Sequence, residues 1–173
     1  GKVAGLRGTD RTDLYMSDAR FQDGANAPLR LIAQDAEDLD LLSALVQDAV
    51  FPLSEMTFAR TQRRFALLLN RFRWEDQADA ERERRPFERV RALLVFQDVL
   101  SVQTQNFDLA TSDAVLAILN IRFELGAEGA GRVVIQLADH GAIALNVEVL
   151  DVTLNDVTRP YLAISGKKPD HAV

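Results

Sequence analysis

The sequence Val115-Leu-Ala-Ile-Leu-Asn-Ile-Arg-Phe-Glu-Leu125 carries the clearest structural pattern in the chain. Apolar residues occupy every second position, and two similar runs follow, from Arg132 to Asp139 and from Ala142 to Leu150. The runs are separated by two turn segments, Gly126-Ala-Glu-Gly-Ala-Gly131 and His140-Gly141. Alternating apolar residues bounded by glycine turns predict antiparallel strands with one buried face.

Upstream of these runs the pattern predicts a strand at 29–33 and then a helix from about Ala36 to Val50. Asp35 is a suitable N-cap, and Pro52 is expected to stop the helix. The helix would bury an apolar stripe made of Leu41, Leu42, Leu45, Val46, Ala49 and Val50. Further strands are predicted at 55–60, 64–74 and 89–103, the last with a bend near Gln97-Asp98, and the run from Ala142 is expected to continue to Leu154.

These elements predict an α+β fold: a strongly bent, mainly antiparallel sheet of about seven strands with one principal amphipathic helix near 36–50. A partly closed barrel and an open sheet both satisfy the pattern. The predicted organisation is one domain over 28–165, preceded by an arm over 1–27 and followed by a frayed tail over 166–173. Since residue 1 is glycine, the arm is interpreted as a tag or an extended start.

Composition limits the chemistry. The 173 residues include no cysteine, which excludes disulfides, zinc–thiolate sites and a cysteine nucleophile. Apolar runs stay far below the about 20 residues that a bilayer span needs, so a cytoplasmic protein without a membrane partner is expected. The formal net charge of −6 makes nucleic acid an improbable partner.

No catalytic constellation, cofactor motif or metal motif emerges. His140 is interpreted as a turn residue, and His171 lies in the predicted tail. The glycines of 126–131 precede a strand, whereas a phosphate-binding loop precedes a helix, so they are interpreted as turn glycines. The carboxylates are interpreted as helix-capping groups or as solvated groups; the first set is Asp35, Glu37, Asp38 and Asp40, and the second is Asp139, Glu148, Asp151 and Asp156.

The charge distribution is uneven in one segment. Residues 60–91 contain ten arginines and six acidic residues, a balance of 10 − 6 = +4, against −6 for the whole chain. Arginine binds carboxylate and phosphate through a planar, two-pronged guanidinium. The segment is therefore the candidate site for an acidic partner or an anionic ligand.

The predicted ligand-binding residues are Arg71, Arg73, Trp74, Arg89 and Arg91. Residues at i and i+2 share a strand face, so pairing of the two strands would bring four guanidinium groups together beside the indole ring. In the alternative interpretation, these arginines form a salt-bridged surface with nearby acids such as Glu75 and Glu88.

Several segments resemble an uncharacterised bacterial family, mostly alphaproteobacterial, that is catalogued as a domain of unknown function. The more specific blocks are Asn70-Arg-Phe-Arg-Trp-Glu75 and the segment from Val147 to Tyr161, which includes Asp156. The resemblance runs from about Pro28 to Tyr161 and implies a bacterial cytoplasmic single-domain protein. It implies no activity, cofactor or catalytic residue.

The leading functional hypothesis is a non-enzymatic binding or interaction module with an arginine-rich surface. Open sheet edges also predict homodimerisation by edge pairing. The rival hypothesis is an enzyme that acts on a small anionic metabolite in the mouth of the curved sheet. Its arginines would hold the substrate, and an Asp or Glu with a raised pKa would be the base.

Overall fold

A computed structural model describes residues 27–107 and 113–162. Two α-helices lie in these ranges, α1 (Ala36–Leu45) and α2 (Gln77–Arg82), along with several single 3-10 turns. The strands are β1 (Arg30–Ala33), β2 (Val50–Pro52), β3 (Met56–Ala59), β4 (Arg64–Phe72), β5 (Glu88–Phe96), β6 (Val99–Gln105), β7 (Val115–Leu125), β8 (Gly131–Leu137), β9 (Ala142–Val147), β10 (Val152–Asp156) and β11 (Tyr161–Leu162). The predicted tail, and all of the predicted arm except Ala27, lie outside the described residues.

All eleven strands belong to one antiparallel sheet, ordered β1-β10-β5-β4-β2-β7-β8-β9-β6, with β3 added to β4 and β11 added to β5. Strands β1 and β6 are the two ends of this path and do not pair with each other. The mainly antiparallel sheet is therefore confirmed, whereas the partly closed barrel is wrong. The number of strands was underestimated, because two predicted strands are each divided and β2 and β11 are too short to show periodicity.

The first divided strand shows how a bend changes the topology. The predicted strand 89–103 breaks at Asp98, whose φ of 56° interrupts the extended backbone. Before this residue β5 pairs with β4 and β10, and after it β6 pairs with β9. The predicted bend is thus the point at which the chain passes from one half of the sheet to the other. The run from Ala142 breaks in the same way, between β9 and β10.

The core lies between the two halves of the sheet and α1. Buried residues from both edge strands, Leu31 of β1 and Val99 of β6, belong to the same apolar cluster, so the sheet folds over onto itself. Helix α1 adds Leu39 and Leu42 to that cluster. As predicted, Asp35 caps the helix by accepting a 2.8 Å hydrogen bond from the Asp38 backbone N–H.

Helix α1 ends at Leu45 and not at Val50, so its predicted C-terminus is wrong. The helical spacing continues in the sequence, but Asp48 adopts a left-handed conformation with φ of 64°. The chain then enters β2, where Val50 pairs with β4 on one side and with β7 on the other. Pro52 closes this short strand and is not the residue that stops the helix.

The apolar alternation of β7 contains a defect that the sequence does not reveal. A register shift between Ile118 and Asn120 inserts an extra residue opposite β8. This bulge places Ile118 and Ile121 in the core, although they are three positions apart, and leaves Leu119 exposed. The prediction of one uninterrupted buried face from Val115 to Leu125 is therefore wrong.

The turns between the last strands behave largely as predicted. His140 has a φ of 67°, which fits its interpretation as a turn residue. In the 126–131 turn only one glycine, Gly129, has a positive φ, at 83°. Gly131 is needed for a different reason, because a Cβ there would lie 2.5 Å from the Glu124 carbonyl oxygen.

Candidate functional site

Arg71 and Arg73 follow the core-facing residues of β4. Phe65, Leu67 and Leu69 point into the core, and Arg71 continues the same alternation. The Arg71 side chain is fully buried, and Arg73 is only 5% exposed. A buried guanidinium is stable only where its donors find acceptors, so the surroundings of Arg71 determine its role.

All five N–H groups of the Arg71 guanidinium are used. Glu75 accepts two hydrogen bonds, from Nη1 at 2.9 Å and Nη2 at 2.7 Å. Asp156 accepts two more, from Nε and Nη2, both at 3.1 Å. Nη1 donates a further hydrogen bond to the Phe72 carbonyl oxygen, at an N–O distance of 3.3 Å. We call this cluster of Arg71, Glu75 and Asp156 the Arg71 centre.

The Arg71 centre connects distant parts of the chain. Asp156 lies at the end of β10, and its Oδ2 also accepts a 2.9 Å hydrogen bond from the Leu29 backbone N–H, just before β1. The two blocks that carry the family resemblance, 70–75 and 147–161, therefore meet in this cluster. The side chain of Asp156 is only 3% exposed, so the prediction of a solvated carboxylate at this position is wrong.

The electrostatics of the Arg71 centre favour the charged forms of Arg71 and Glu75. Burial disfavours the charged form of Arg71, but the hydrogen bonds and charges of Glu75 and Asp156 outweigh it and raise the pKa of Arg71. Burial likewise opposes ionisation of Glu75, and Arg71 more than compensates, so the pKa of Glu75 lies below its usual value of 4.5. The guanidinium charge is neutralised within the chain.

Arg73 is also neutralised by neighbouring carboxylates. Its Nη1 donates a hydrogen bond to Glu88, and Asp76 lies 3.7 Å from the same atom. Asp76 in turn accepts two hydrogen bonds from Arg85, at 3.0 and 3.1 Å. These ion pairs hold the segment between β4 and β5, which contains α2. For Arg71 and Arg73 the salt-bridge interpretation therefore describes the structure.

Trp74 packs against the protein and supports the same segment. Its ring lies edge-on to Phe72, with centroids 4.7 Å apart, and Phe72 also contacts Phe87. The indole N–H donates a 2.8 Å hydrogen bond to the Gln47 carbonyl, in the turn after α1. Both the ring edge and the N–H are thus engaged within the chain, which fits a structural role.

Arg89 and Arg91 lie on the other face of the sheet. The strands β4 and β5 do pair, as the hypothesis of convergence requires, but Arg71 lies opposite Val90 and not opposite an arginine. Arg89 is opposite Phe72, and Arg91 is opposite Asn70. Directly opposed residues share a face, so the register places the two arginine pairs on opposite faces. The four guanidinium groups do not converge.

Arg89 has polar neighbours but no ion pair within the part of the chain that the structure describes. Its Nε donates a 2.6 Å hydrogen bond to the Asn70 side-chain oxygen. The Asn70 amide donates in turn to the Tyr161 hydroxyl at 2.6 Å, and Tyr161 is the β11 partner of Arg89. We call the surface formed by Asn70, Arg89, Arg91 and Tyr161 the Arg89 surface.

Burial disfavours the charged form of Arg89, and neighbouring groups compensate for this only in part. Partial burial lowers the pKa of Arg89, and the electrostatic effects of Tyr161 and Asp48 offset this only in part. Arg91, on the same face, is exposed; its backbone N–H donates to Thr158 Oγ1 at 3.1 Å, and its carbonyl accepts from the Val157 N–H at 2.8 Å. The Arg89 surface thus presents two guanidinium groups that form no salt bridge with a described carboxylate, although Asp48 attracts Arg89 electrostatically.

A second feature was missed from the sequence: a groove on the outward face of β7, β8, β9 and β6, with a volume of about 420 Å³. It is lined by Gln103, Thr104, Gln105, Arg122, Arg132, Val134, Gln136, Ala142 and Ala144, which we call the sheet groove. The only sequence signal for it is that small residues, Ala142 and Ala144, occupy outward positions of a strand. Such residues leave a depression where their neighbours are long.

The described residues contain no group of three or more His, Cys, Asp or Glu that could hold a metal ion. Within the same ranges, no helix is long and apolar enough to cross a membrane.

The fold is that of a small, strand-dominated α+β protein in which one antiparallel sheet and α1 surround an apolar core. The model of the family DUF2948, described as a protein of unknown function, matches residues 29–171. Because this match spans most of the chain, the protein belongs to that family. Comparison with curated proteins and with solved structures gives no match.

Proposed function

We propose that the protein is a binding module that captures a carboxylate or phosphate group of an acidic partner on the Arg89 surface. The observation that supports this most directly is the state of Arg89. Its guanidinium is partly buried and hydrogen-bonded to a neutral amide, with no ion pair to a described carboxylate. An incoming anion would supply the missing charge and receive charge-assisted hydrogen bonds.

The geometry of the surface suits a single anionic group. Asn70 fixes the Nε side of Arg89, so the guanidinium is already oriented before binding. Arg91 lies two residues along the same strand face, at a spacing of about 7 Å, so both cations can reach one extended acidic segment. Arg71, Arg73 and Trp74 are not part of this proposed site, because their donors are used within the chain.

The enzymatic hypothesis requires an arginine beside a carboxyl group of raised pKa in a concave pocket. At the Arg71 centre the relation is reversed, since Arg71 lowers the pKa of Glu75 and the guanidinium has no donor left for a substrate. The enzyme therefore stays a prediction that no specific observation favours, and the binding module is preferred.

Homodimerisation and a location in the bacterial cytoplasm are also part of this proposal. The feature that supports a dimer is the edge strand β6, which spans seven residues, Val99–Gln105, none of them charged or proline. Edge strands of this kind pair readily with other strands, whereas β1 at the opposite edge has only four residues and begins with Arg30. Light scattering of the purified chain tests the dimer directly.

The binding proposal is tested with two probes, inorganic phosphate and a peptide of alternating Glu and Gly. Each is titrated into the ¹⁵N-labelled full chain, and the shifts of the Asn70 side-chain amide and the Arg89 and Arg91 backbone amides are followed. We expect the peptide to bind more tightly than phosphate because it can engage both arginines. The double change Arg89→Gln and Arg91→Gln should weaken peptide binding by about 100-fold, or about tenfold per lost ion pair.

The matched control is Arg82→Gln, which also removes one guanidinium but takes it from an exposed pair with Asp79. Peptide affinity should be unchanged in this variant. If Arg82→Gln weakens peptide binding as much as the double change does, the peptide responds only to the overall charge of the protein. The absence of any chemical shift change at Asn70, Arg89 and Arg91 would refute the proposed site.

A further inference from the structure

The register of four strands determines which residues form the sheet groove. Two rows of outward-facing residues cross the four strands in the order β7, β8, β9, β6. One row is Arg122, Val134, Ala144 and Gln103, and the next is Asn120, Gln136, Ala142 and Gln105. In the first row the central Val134 and Ala144 are shorter than Arg122 and Gln103, and in the second Ala142 is shorter than its neighbours, so the face is concave around these three residues. The outer strands of the four are three strand spacings apart, about 14 Å.

The floor of the groove is apolar and well covered. Val134, Ala142 and Ala144 point outward, yet they are only 4%, 9% and 6% exposed. Longer side chains that line the groove beside them, such as Arg122, Gln103 and Gln136, surround this floor. Apolar floors with a few polar groups at the rim are typical of small-molecule sites, and the volume of about 420 Å³ falls within their usual range.

The β7–β8 end of the groove carries an excess of positive charge. Arg122 and Arg132 share one carboxylate, Glu124, at 3.5 and 3.9 Å respectively. All three side chains are about half exposed, so these contacts are weak. Two guanidinium groups and one carboxylate leave a surplus of one positive charge. An anion placed between the two arginines could approach both guanidinium groups more closely than the Glu124 carboxylate does.

The other end of the groove offers neutral hydrogen-bonding groups. The side-chain amides of Gln103 and Gln105 make no hydrogen bond to any other described residue. Gln136 donates its amide to the Gly141 carbonyl at 3.0 Å, which leaves its side-chain oxygen as an acceptor. None of the described residues that line the groove is aromatic, so they offer no stacking surface for a nucleobase.

From this arrangement we propose that the sheet groove binds a small polar anion, with its carboxylate or phosphate between Arg122 and Arg132 and its hydroxyl or amide groups along Gln103, Gln105 and Gln136. The site is independent of the Arg89 surface, which lies on the other half of the sheet. One protein would then combine a ligand pocket with a separate surface for an acidic partner.

The test uses three probes on the ¹⁵N-labelled full chain: inorganic phosphate, the linear dicarboxylate glutarate, and glucose 6-phosphate. The backbone amides of 103–105, 132–136 and 142–144 report binding. We expect saturable shifts there, and about tenfold tighter binding of glucose 6-phosphate than of phosphate, because only the sugar reaches the glutamines. Tighter binding of glutarate than of phosphate would instead assign the site to carboxylates, and the groove would still be the site.

Three variants establish where the probes bind. Arg122→Gln and Arg132→Gln should each weaken binding about tenfold, and both residues are exposed enough to change without loss of folding. Ala144→Leu fills the floor and should abolish binding of the sugar phosphate. The control Arg91→Gln should leave groove binding intact while it weakens peptide binding at the Arg89 surface, so the two proposals can fail separately.

Two results would overturn the groove proposal. One is the absence of any shift in the groove amides at about 10 mM of each probe, a concentration that would detect even very weak binding. The other is equal binding by the unmodified chain and by the Arg122→Gln and Arg132→Gln variants. That result would mean that the probes bind elsewhere.

Discussion

Arg71 and Arg89 belong to neighbouring strands of the same sheet, yet they have opposite environments. Arg71 faces the core, is fully buried and donates five hydrogen bonds, four of them to carboxylates. Arg89 faces outward, is partly exposed, and donates to the side-chain oxygen of Asn70. A register offset of a single residue causes the difference, because Arg71 lies opposite Val90. Arginine-rich composition alone therefore cannot separate a stabilising arginine from one that is available for binding.

The largest effect is expected from Asp156→Ala. This change removes two acceptors of the buried Arg71 guanidinium and the acceptor of the Leu29 N–H. A buried charge that loses its partner is strongly destabilising, so the free energy of unfolding should fall by about 3–5 kcal/mol. Urea denaturation followed by circular dichroism measures this loss.

The control for this prediction is Asp79→Ala, which breaks the exposed pair with Arg82. It should change the free energy of unfolding by no more than about 0.5 kcal/mol. If Asp156→Ala lowers the free energy of unfolding by as little as this control, the Arg71 centre contributes no net stability. Arg71 would then not differ from Arg89 as a stabilising residue.

A smaller loss is expected from Trp74→Phe. The phenyl ring keeps contact with Phe72, but the hydrogen bond to the Gln47 carbonyl is lost. The free energy of unfolding should fall by about 1.5 kcal/mol, and phosphate and peptide affinities should not change. Tyr161→Phe, which removes a more exposed hydroxyl, is the matched control for stability only, because Tyr161 belongs to the Arg89 surface. If Trp74→Phe lowers the affinity and leaves the stability unchanged, Trp74 belongs to the binding site.

Part of the difference between Arg71 and Arg89 could be predicted from the sequence. The alternation of Phe65, Leu67 and Leu69 continues to Arg71, so strand parity alone could have predicted a core-facing arginine. The partner Asp156 is 85 positions away and becomes adjacent only through the pairing of β5 with β10. Local patterns contain no information about such a contact.

The same limit applies to the rest of the fold. The capped helix and most strands were predictable because periodicity and capping are local. The division at Asp98, the bulge in β7 and the sheet groove depend on which strands pair and in which register. Gln103 and Ala144 are 41 positions apart, and only the β6–β9 register makes them neighbours in one groove.

A pH-dependent effect is expected for Glu75→Gln. The folded-state pKa of Glu75 lies below its usual value of 4.5, so its ionised form stabilises the folded chain. This contribution is fully present above the unfolded-state pKa and is lost as the pH falls through the lower folded-state pKa. Because the side chain is 30% exposed, the unmodified chain should exceed the variant by only about 1 kcal/mol at neutral pH.

The difference in unfolding free energy between the two chains should therefore be constant from about pH 7 to 5.5 and should shrink below about pH 4.5. Urea titrations at each pH measure it. A difference that grows on acidification would mean that the carboxyl group is protonated more readily in the folded state, contrary to its contact with Arg71.

The smallest effect on stability is expected from Arg89→Gln, and it completes the comparison. The guanidinium is partly desolvated without an ion pair to a described carboxylate, so its charge contributes little to folding. The free energy of unfolding should change by no more than about 0.5 kcal/mol, while the affinity for the acidic peptide falls about tenfold. If this variant instead loses more than about 2 kcal/mol and keeps its affinity, Arg89 is a stabilising arginine like Arg71. The outward face of β5 would then no longer be a binding surface.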